Sequence, residues 1–302
     1  MKSGGHVDAA HDNGLAGLVM HCPLCSADVA TRPVLHKGEY AYVACTACGG
    51  VRLQPFPAPA LAAELYGDDY FTAAAHGGYA DYAADAAIHR RNGRARIRKL
   101  GAPPEAGAAM IDIGCAYGFT MIEAKATGWT PHGVDLNAAA RAAVAEHGMV
   151  AAPTVAALGL AAGSVAAVTF FQVLEHLPDP VAALREAADL LAPGGTLLIE
   201  TWDRHSLIAR AMKARWQQAT PPSVLWLFDE GDLRRMCALA GLELVSWKRS
   251  MKWVSLGLVA GQMANRGSKV ARMIGRRLQA LALPYALGDL VTARVRKPAS
   301  QS

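Results

Sequence analysis

From about residue 108 onward, short apolar runs alternate with stretches whose apolar residues recur at helical spacing. The run Ala108–Ile113 carries one acid, Asp112, and turns at Gly114 and Gly118, after which a helical pattern begins. Trp129–Asn137 reads as a second strand ending in the carboxylate of Asp135, Val168–Gln172 as a buried strand, and Thr196–Glu200 as another. Asp179 suits an N-cap with Pro180 at the first helical position, predicting a helix to about Ala192 that Pro193-Gly194-Gly195 stops. Leu233, Met236, Cys237 and Ala240 recur at i, i+3, i+4 and i+7, which predicts a helix over Asp229–Ala240 ended by Gly241. Leu242–Trp247 and Asp289–Val295 read as the last strands. Strands alternating with helices predict an α/β fold around a parallel sheet.

The front of the chain follows another pattern. Residues 1–20 mix Gly, Ala, His and Asp without periodicity and read as a mobile leader. Cys22-Pro-Leu-Cys25 is followed, after nineteen intervening residues, by Cys45-Thr-Ala-Cys48. Two Cys-x2-Cys pairs at that separation predict a zinc ribbon over residues 21–54, each pair placing two thiolates on one side of a tight knuckle. Four sulfur ligands leave no open position, so this Zn²⁺ is read as structural, and a reducing cytosol disfavours the alternative of two disulfides. The Pro-rich stretch Gln54–Ala60 is the expected domain boundary. Residues 55–107 are expected to form a helical cap. Its Tyr79 and Tyr82 stand either in a pocket wall or in ordinary packing, and its Arg90, Arg91 and Arg98 either on a solvated face or gripping a ligand.

Composition narrows this little. A chain of 302 residues with 52% hydrophobic content can bury a large core. No apolar run approaches the ~20 residues of a membrane helix, and no signal-peptide core follows the N-terminus, so a cytoplasmic protein is expected. The net charge of +5 decides nothing alone. Residues 251–287 are expected to be a helical insertion. Within it, Val270, Met273, Ile274, Leu278 and Leu281 form an apolar stripe beside Lys269, Arg272, Arg276 and Arg277, so the helix around 266–283 either packs on its own domain or touches an anionic membrane surface.

The loop after Ala108–Ile113 lies where open α/β sheets bind ligands, at the carboxyl end of a strand beside a helix start. Asp135 follows Gly114 by about 20 residues, a spacing that suits a carboxylate holding ribose hydroxyls. A dinucleotide loop needs Gly-x-Gly-x-x-Gly, but those three places hold Gly114, Ala116 and Phe119. The stretches Asp112–Gly118, Gly133-Val-Asp135-Leu136, Phe171–Pro180 and Leu191–Glu200 instead resemble, in order, the motifs of class I S-adenosylmethionine (SAM)-dependent methyltransferases. The match with an N-terminal ribbon resembles enzymes of sugar, polysaccharide and natural-product pathways. The resemblance implies a Rossmann-like seven-stranded methyltransferase sheet in the order 3-2-1-4-5-7-6, over residues 55–302. It also implies SAM bound by Asp112, Gly114, Cys115, Ala116, Gly118, Asp135, Leu136 and Gln172. Asp135 would anchor the ribose, Asp112 would order the loop through backbone N–H groups, and Leu136 with Val155 or Leu158 would meet the adenine. The expected acceptor is a small molecule bearing a hydroxyl: a sugar, a lipid-linked glycan or a secondary metabolite.

A sulfonium already activates its methyl group, so the protein has to align the acceptor, exclude water and remove a proton. His176 is the base candidate within the motifs, its other reading being a structural residue of the turn after the fourth strand. His205, after the fifth strand, is a second candidate. Quinone-pathway O-methyltransferases of the superfamily carry a Glu-x-x-Glu-His metal cluster at this place. Here Gln172 replaces its first acid, which argues against a divalent ion at Glu175-His176. Ribosomal-RNA methylation is the enzyme alternative, and a scaffold that binds SAM without turning it over the other. The ribbon, with few positive charges and no basic-aromatic platform, speaks against nucleic acid.

Overall fold

A computed structural model describes residues 18–58, 61, 64–71, 82–257 and 281–299. Tyr79, most of the expected leader and the core of the basic stripe (residues 258–280) lie outside the described residues.

The main sheet has seven strands. In chain order they are β5 (Ala109–Ile113), β6 (Thr130–Val134), β7 (Val150–Ala152), β8 (Val165–Phe171), β9 (Leu191–Trp202), β11 (Glu243–Arg249) and β14 (Leu290–Arg296). Across the sheet they run β11-β14-β9-β8-β5-β6-β7. Pairing is parallel from β7 to β9, while β14 is antiparallel to both β9 and β11. Read from the other edge this is 3-2-1-4-5-7-6, as the resemblance implied. The strand order reverses between β5 and β8, so the loops after these two strands open a crevice at their carboxyl ends.

Period-two alternation sets the two core layers. Met110, Ala167 and Leu198 point to one face and pack with Ile97, Leu100 and Ala124 of α1 (Ala86–Leu100) and α2 (Phe119–Lys125). Ile111, Val168, Phe170, Leu197 and Ile199 point to the other, under α4 (Pro180–Leu190) and α6 (Glu230–Leu239). Helix α3 (Ala138–Glu146) joins the first face through Val144 against Met121. The capping signals act as read. Asp179 Oδ1 accepts from Ala182 N at 2.9 Å, and Asp229 with Asp232 closes a capping box at the start of α6.

The front of the chain forms β1 (Val19–Cys22), β2 (Ala27–Lys37), β3 (Tyr40–Cys45) and β4 (Val51–Gln54). Val19 and Met20, read as leader, already pair with Ala30 and Val29. This ribbon is not an appendage. Its last strand pairs with β10 (Trp226–Leu227), so the sheet β1-β2-β3-β4-β10 borrows a strand from beyond residue 200. Tyr42, fully buried, donates its hydroxyl to Val224 O at 2.8 Å, and Leu53 N donates to Leu225 O at 2.9 Å. Arg204 reaches Gly49 O at 3.2 Å and pairs with Asp229 and Asp232.

The expected helical insertion departs from the reading at both ends. Residues Lys252–Ser255 (β12) and Ala282–Tyr285 (β13) pair as an antiparallel hairpin. Extended β-branched and aromatic residues at Trp253 and Val254 suit a strand better than a helix. The hairpin is fastened to α1, where Asn92 exchanges hydrogen bonds with both backbone groups of Trp253, at 2.8 and 2.7 Å.

Candidate active site

The crevice holds a cavity of about 450 Å³ that runs from the loop after β5 to the hairpin. At one end stand Gly114, Cys115, Ala116, Asp135, Leu136 and Val155. Gly114 has φ +71°, and a Cβ there would lie 2.3 Å from Val173 Cγ2, so the loop can pass only as glycine. Ala116 also takes a positive φ, 47°, and its N–H donates to Asp135 Oδ2 at 2.9 Å. Asp135 Oδ1 accepts from Asn137 N at the same distance. One carboxylate thus ties the turn after β5 to the turn after β6, and burial raises its pKa against these bonds. Each oxygen keeps a further lone pair for a ligand hydroxyl. Leu136 is 61% exposed at the lip and presents an apolar face to the cavity.

Other residues of the expected SAM set play different parts. Asp112 also lines the cavity, but it is buried below the loop and accepts from Thr169 Oγ1 at 2.7 Å, not from the loop's backbone. Burial lifts its carboxyl to about 6. The Cys115 thiol fits against Gly133, where a Cβ would stand 2.6 Å from its sulfur, and burial pushes its pKa well up, so it packs as a small apolar side chain. Gly118 is the N-cap of α2 and does not line the cavity. Leu158 stays outside the cavity, whereas Val155 lines it.

Gln172 sits at the carboxyl end of β8 with φ +61°, a strained conformation for a side-chain-bearing residue. Its amide is held at both ends by the protein. Nε2 donates to Glu200 Oε1 at 3.0 Å, and Oε1 accepts from Lys252 Nζ at 2.6 Å. Arg96 of α1 also donates to Glu200, at 3.1 Å through Nε, and stacks over Phe171 at 4.6 Å. Glu200 is thereby held below its usual carboxylate range, the charges of Arg96, Lys252 and Lys99 outweighing its burial. Arg96, Glu200 and Lys252 are site residues that the sequence reading missed. A signal existed for the first: His89, Asn92 and Arg96 recur at i, i+3 and i+7 on the inward face of α1, a polar stripe aimed at the cavity. The arginines that were read, Arg90 and Arg91, instead meet Glu123 and the Trp253 ring.

His176 lines the cavity, and its Nδ1 lies 2.7 Å from Ser223 O and 2.9 Å from the Tyr66 hydroxyl. A carbonyl partner requires Nδ1–H, which leaves Nε2 as the acceptor. Burial lowers the ring's pKa and keeps it neutral. Its neighbour Glu175 is buried behind the site, bonded through Oε2 to Thr201 at 3.0 Å, and burial lifts it to about 7. Gln172 lines the cavity and Glu175 does not. His205 is elsewhere: it is exposed at 66%, lies 3.5 Å from Asp229, and does not line the cavity. The chain turns at Asp203–Ser206 and carries it away from the crevice.

The four ribbon cysteines converge at a separate place. Their sulfurs all lie within 4.8 Å of one another, with Cys22 to Cys48 at 3.6 Å and Cys25 to Cys45 at 3.8 Å. A tetrahedron with Zn–S bonds of about 2.3 Å has edges of about 3.8 Å, so the donor set fits zinc, and the sulfurs are too far apart for disulfides.

Fold and crevice together define the class I methyltransferase architecture, with a ligand loop after the first strand and an acid after the second. The family model for a methyltransferase domain matches residues 84–247, and the chain belongs to that family. Among curated relatives, the ubiquinone biosynthesis O-methyltransferase of Ralstonia nicotianae is 34% identical over 111 residues, 34% of this chain and 47% of that protein. The enzyme of the same name from Xanthomonas oryzae is 36% identical over 107 residues, 33% of this chain and 45% of that protein. The chain thus spans under half the length of these relatives. Burkholderia thailandensis 1,6-didemethyltoxoflavin-N1-methyltransferase, solved with 1,6-didemethyltoxoflavin and S-adenosylhomocysteine, shares the fold at a TM-score of 0.50. Its identity is 16%, over 88% of this chain and 99% of that one. Among the described residues no helix is long and apolar enough to cross a membrane.

Proposed function

We propose that this chain transfers a methyl group from SAM to a hydroxyl oxygen of a small molecule, with Zn²⁺ bound by Cys22, Cys25, Cys45 and Cys48 in a structural role. The observation that carries the reading is one continuous cavity with two chemically distinct ends. At the first, the Asp135 carboxylate, the tight turn at Gly114 and the exposed Leu136 offer a ribose, a methionyl chain and an adenine what each requires. At the second, Tyr66, His89, Phe171 and Trp253 form aromatic walls, with His176, Gln172 and Lys252 as the polar groups among them, and Tyr82, packed on both Ala116 and His89, joins the two ends. SAM supplies an activated methyl group; the protein holds the acceptor oxygen in line with it, excludes water and takes up the proton. Two curated relatives with the name of O-methyltransferases support oxygen as the acceptor atom. The aromatic walls favour a planar secondary metabolite over a free sugar. His176 and Lys252 stand at the acceptor end as candidate proton acceptors, and His205 is set apart by its position. Isothermal calorimetry with S-adenosylhomocysteine tests the first end: micromolar binding by the full chain is expected, and no heat at all would refute the reading. Transfer of label from methyl-tritiated SAM into the organic-soluble fraction of a cell extract tests the second.

A further inference from the structure

We propose that Lys252 is the residue that takes the proton from an acidic hydroxyl of the acceptor. This rests on the methyltransferase reading above and goes beyond it in assigning the base and the kind of hydroxyl. Lys252 comes from the hairpin inserted between the last two strands of the sheet, and its side chain reaches the cavity beside Gln172. Its ammonium lies 4.8 Å from the Trp202 ring and, among the described residues, forms no ion pair. A half-buried amine with one hydrogen-bond partner among the described residues, in a ligand cavity, is poised to gain a second from whatever enters.

The charges around it set its basicity. Arg96 and His89 approach from α1, Glu175 follows β8, Glu200 stands on β9, and Asp289 precedes β14. Burial and Arg96 outweigh the carboxylates and bring Lys252 down to about 8. His89, lowered to about 3, stays neutral and adds no charge. Glu200 is already engaged by Arg96 and Gln172, so it does not quench the amine by direct pairing. His176, whose imidazole burial makes less basic than usual, is the weaker of the two proton acceptors. Near neutrality a usable fraction of Lys252 is an uncharged amine. It can deprotonate a phenol-like hydroxyl, of pKa about 10, far more readily than an aliphatic one, nearer that of water at about 16.

The step balances. The acceptor oxygen bonds to the methyl carbon as the carbon–sulfur bond breaks, and that electron pair stays on sulfur, leaving S-adenosylhomocysteine. The hydroxyl proton passes to the neutral Nζ of Lys252, forming the ammonium, which returns its proton to solvent after the product leaves.

The test uses the full chain saturated with S-adenosylhomocysteine. Acetic anhydride acylates only neutral amines, so residue-resolved mass spectrometry across pH 6–11 reports the titration of each lysine. Lys252 is expected to reach half-maximal reactivity near pH 8, about two units below the exposed lysines. As acceptor proxy, 4-nitrophenol is added at a pH where the free probe is mostly protonated. The wild type should show the visible phenolate band of the bound probe, and Lys252→Met should lose it while binding S-adenosylhomocysteine within about threefold of wild type by calorimetry. Lys252 acylating in step with the surface lysines would overturn the proposal. So would a phenolate band absent from the wild type or persisting in Lys252→Met. A large loss of S-adenosylhomocysteine affinity in Lys252→Met would place the ammonium on the cofactor's carboxylate instead, which also overturns it. If the wild type binds no S-adenosylhomocysteine, the methyltransferase reading has failed, and the result is told apart from these.

Discussion

Stripping the proposed Zn²⁺ from the ribbon should loosen the acceptor end of a cavity that contains none of the four cysteines. The connection runs through β10. Pairing of β4 with β10 and the Tyr42 hydroxyl hold residues 224–227. The adjoining Ser223 carbonyl fixes the His176 ring, and Leu225 N donates to Glu175 O at 2.9 Å. Four cross-connections would be lost or weakened: Tyr42 to Val224, Leu53 to Leu225, Arg204 to Gly49, and Lys37 to Trp216 O at 3.0 Å. At about 1 kcal/mol net for each, their loss removes about 4 kcal/mol. For a domain of this size that lowers Tm by roughly 8–16 °C. The assay is differential scanning calorimetry of the protein as purified and after dialysis against dipicolinate, with zinc content read by atomic emission. Cys45→Ser should reproduce the shift, and Tyr42→Phe, which deletes one buried bond, should lower Tm by about 2–4 °C. A zinc-free protein melting within 2 °C of the zinc-loaded one would show that the ribbon's hold on β10 does not depend on the metal.

Other outcomes follow from single side chains. Asp135→Ala leaves the N–H groups of Ala116 and Asn137 without their acceptor and deletes the proposed ribose contact, so S-adenosylhomocysteine affinity should fall at least about 30-fold by calorimetry. Glu175, lifted by burial to about 7 from its ordinary 4.5, keeps a proton in the folded chain that the unfolded chain has lost between those values. The contribution of Glu175 to stability should therefore fall as pH rises from about 4.5 to 7 and level off above. The gap to Glu175→Gln should widen across that window by up to about 3 kcal/mol in urea melts, and a constant gap would sink the assignment. Gly114→Ala should destabilise and abolish ligand binding, because its Cβ meets Val173 Cγ2 at 2.3 Å; adding Val173→Ala should restore part of the stability but not the strain of φ +71°.

Much of the catalytic domain could be read from the chain because its signals are local. Gly114 and Asp135 lie within one β-α-β unit, where loop and acid have a fixed spacing, and the caps Asp179 and Asp229 act on residues three positions away. The cysteine pairs were legible for the same reason. What escaped depends on residues far apart in sequence. Nothing around Arg52 or Trp226 announces that their strands pair, and Lys252 meets Gln172 only after the chain has crossed the sheet. His205 misled because following a strand's carboxyl end is not the same as facing the crevice there; the turn at Asp203 decides that. The insertion misled because an amphipathic stripe inside it said nothing about the extended residues on either side.

The hairpin of β12 and β13 has a consequence for how such a protein can change. Lys252, Trp253 and Ser255 reach the cavity from an excursion that the seven-stranded sheet does not need for its own closure, since β11 and β14 pair directly with each other. Lineages that duplicate this chain can rewrite the excursion, and with it the molecules accepted, while the half that grips the adenosyl donor is inherited intact. Changes at Lys252 and Trp253 can thus reshape one wall of the crevice without touching the strand pairing that closes the sheet, so long as the Asn92 clasp is kept.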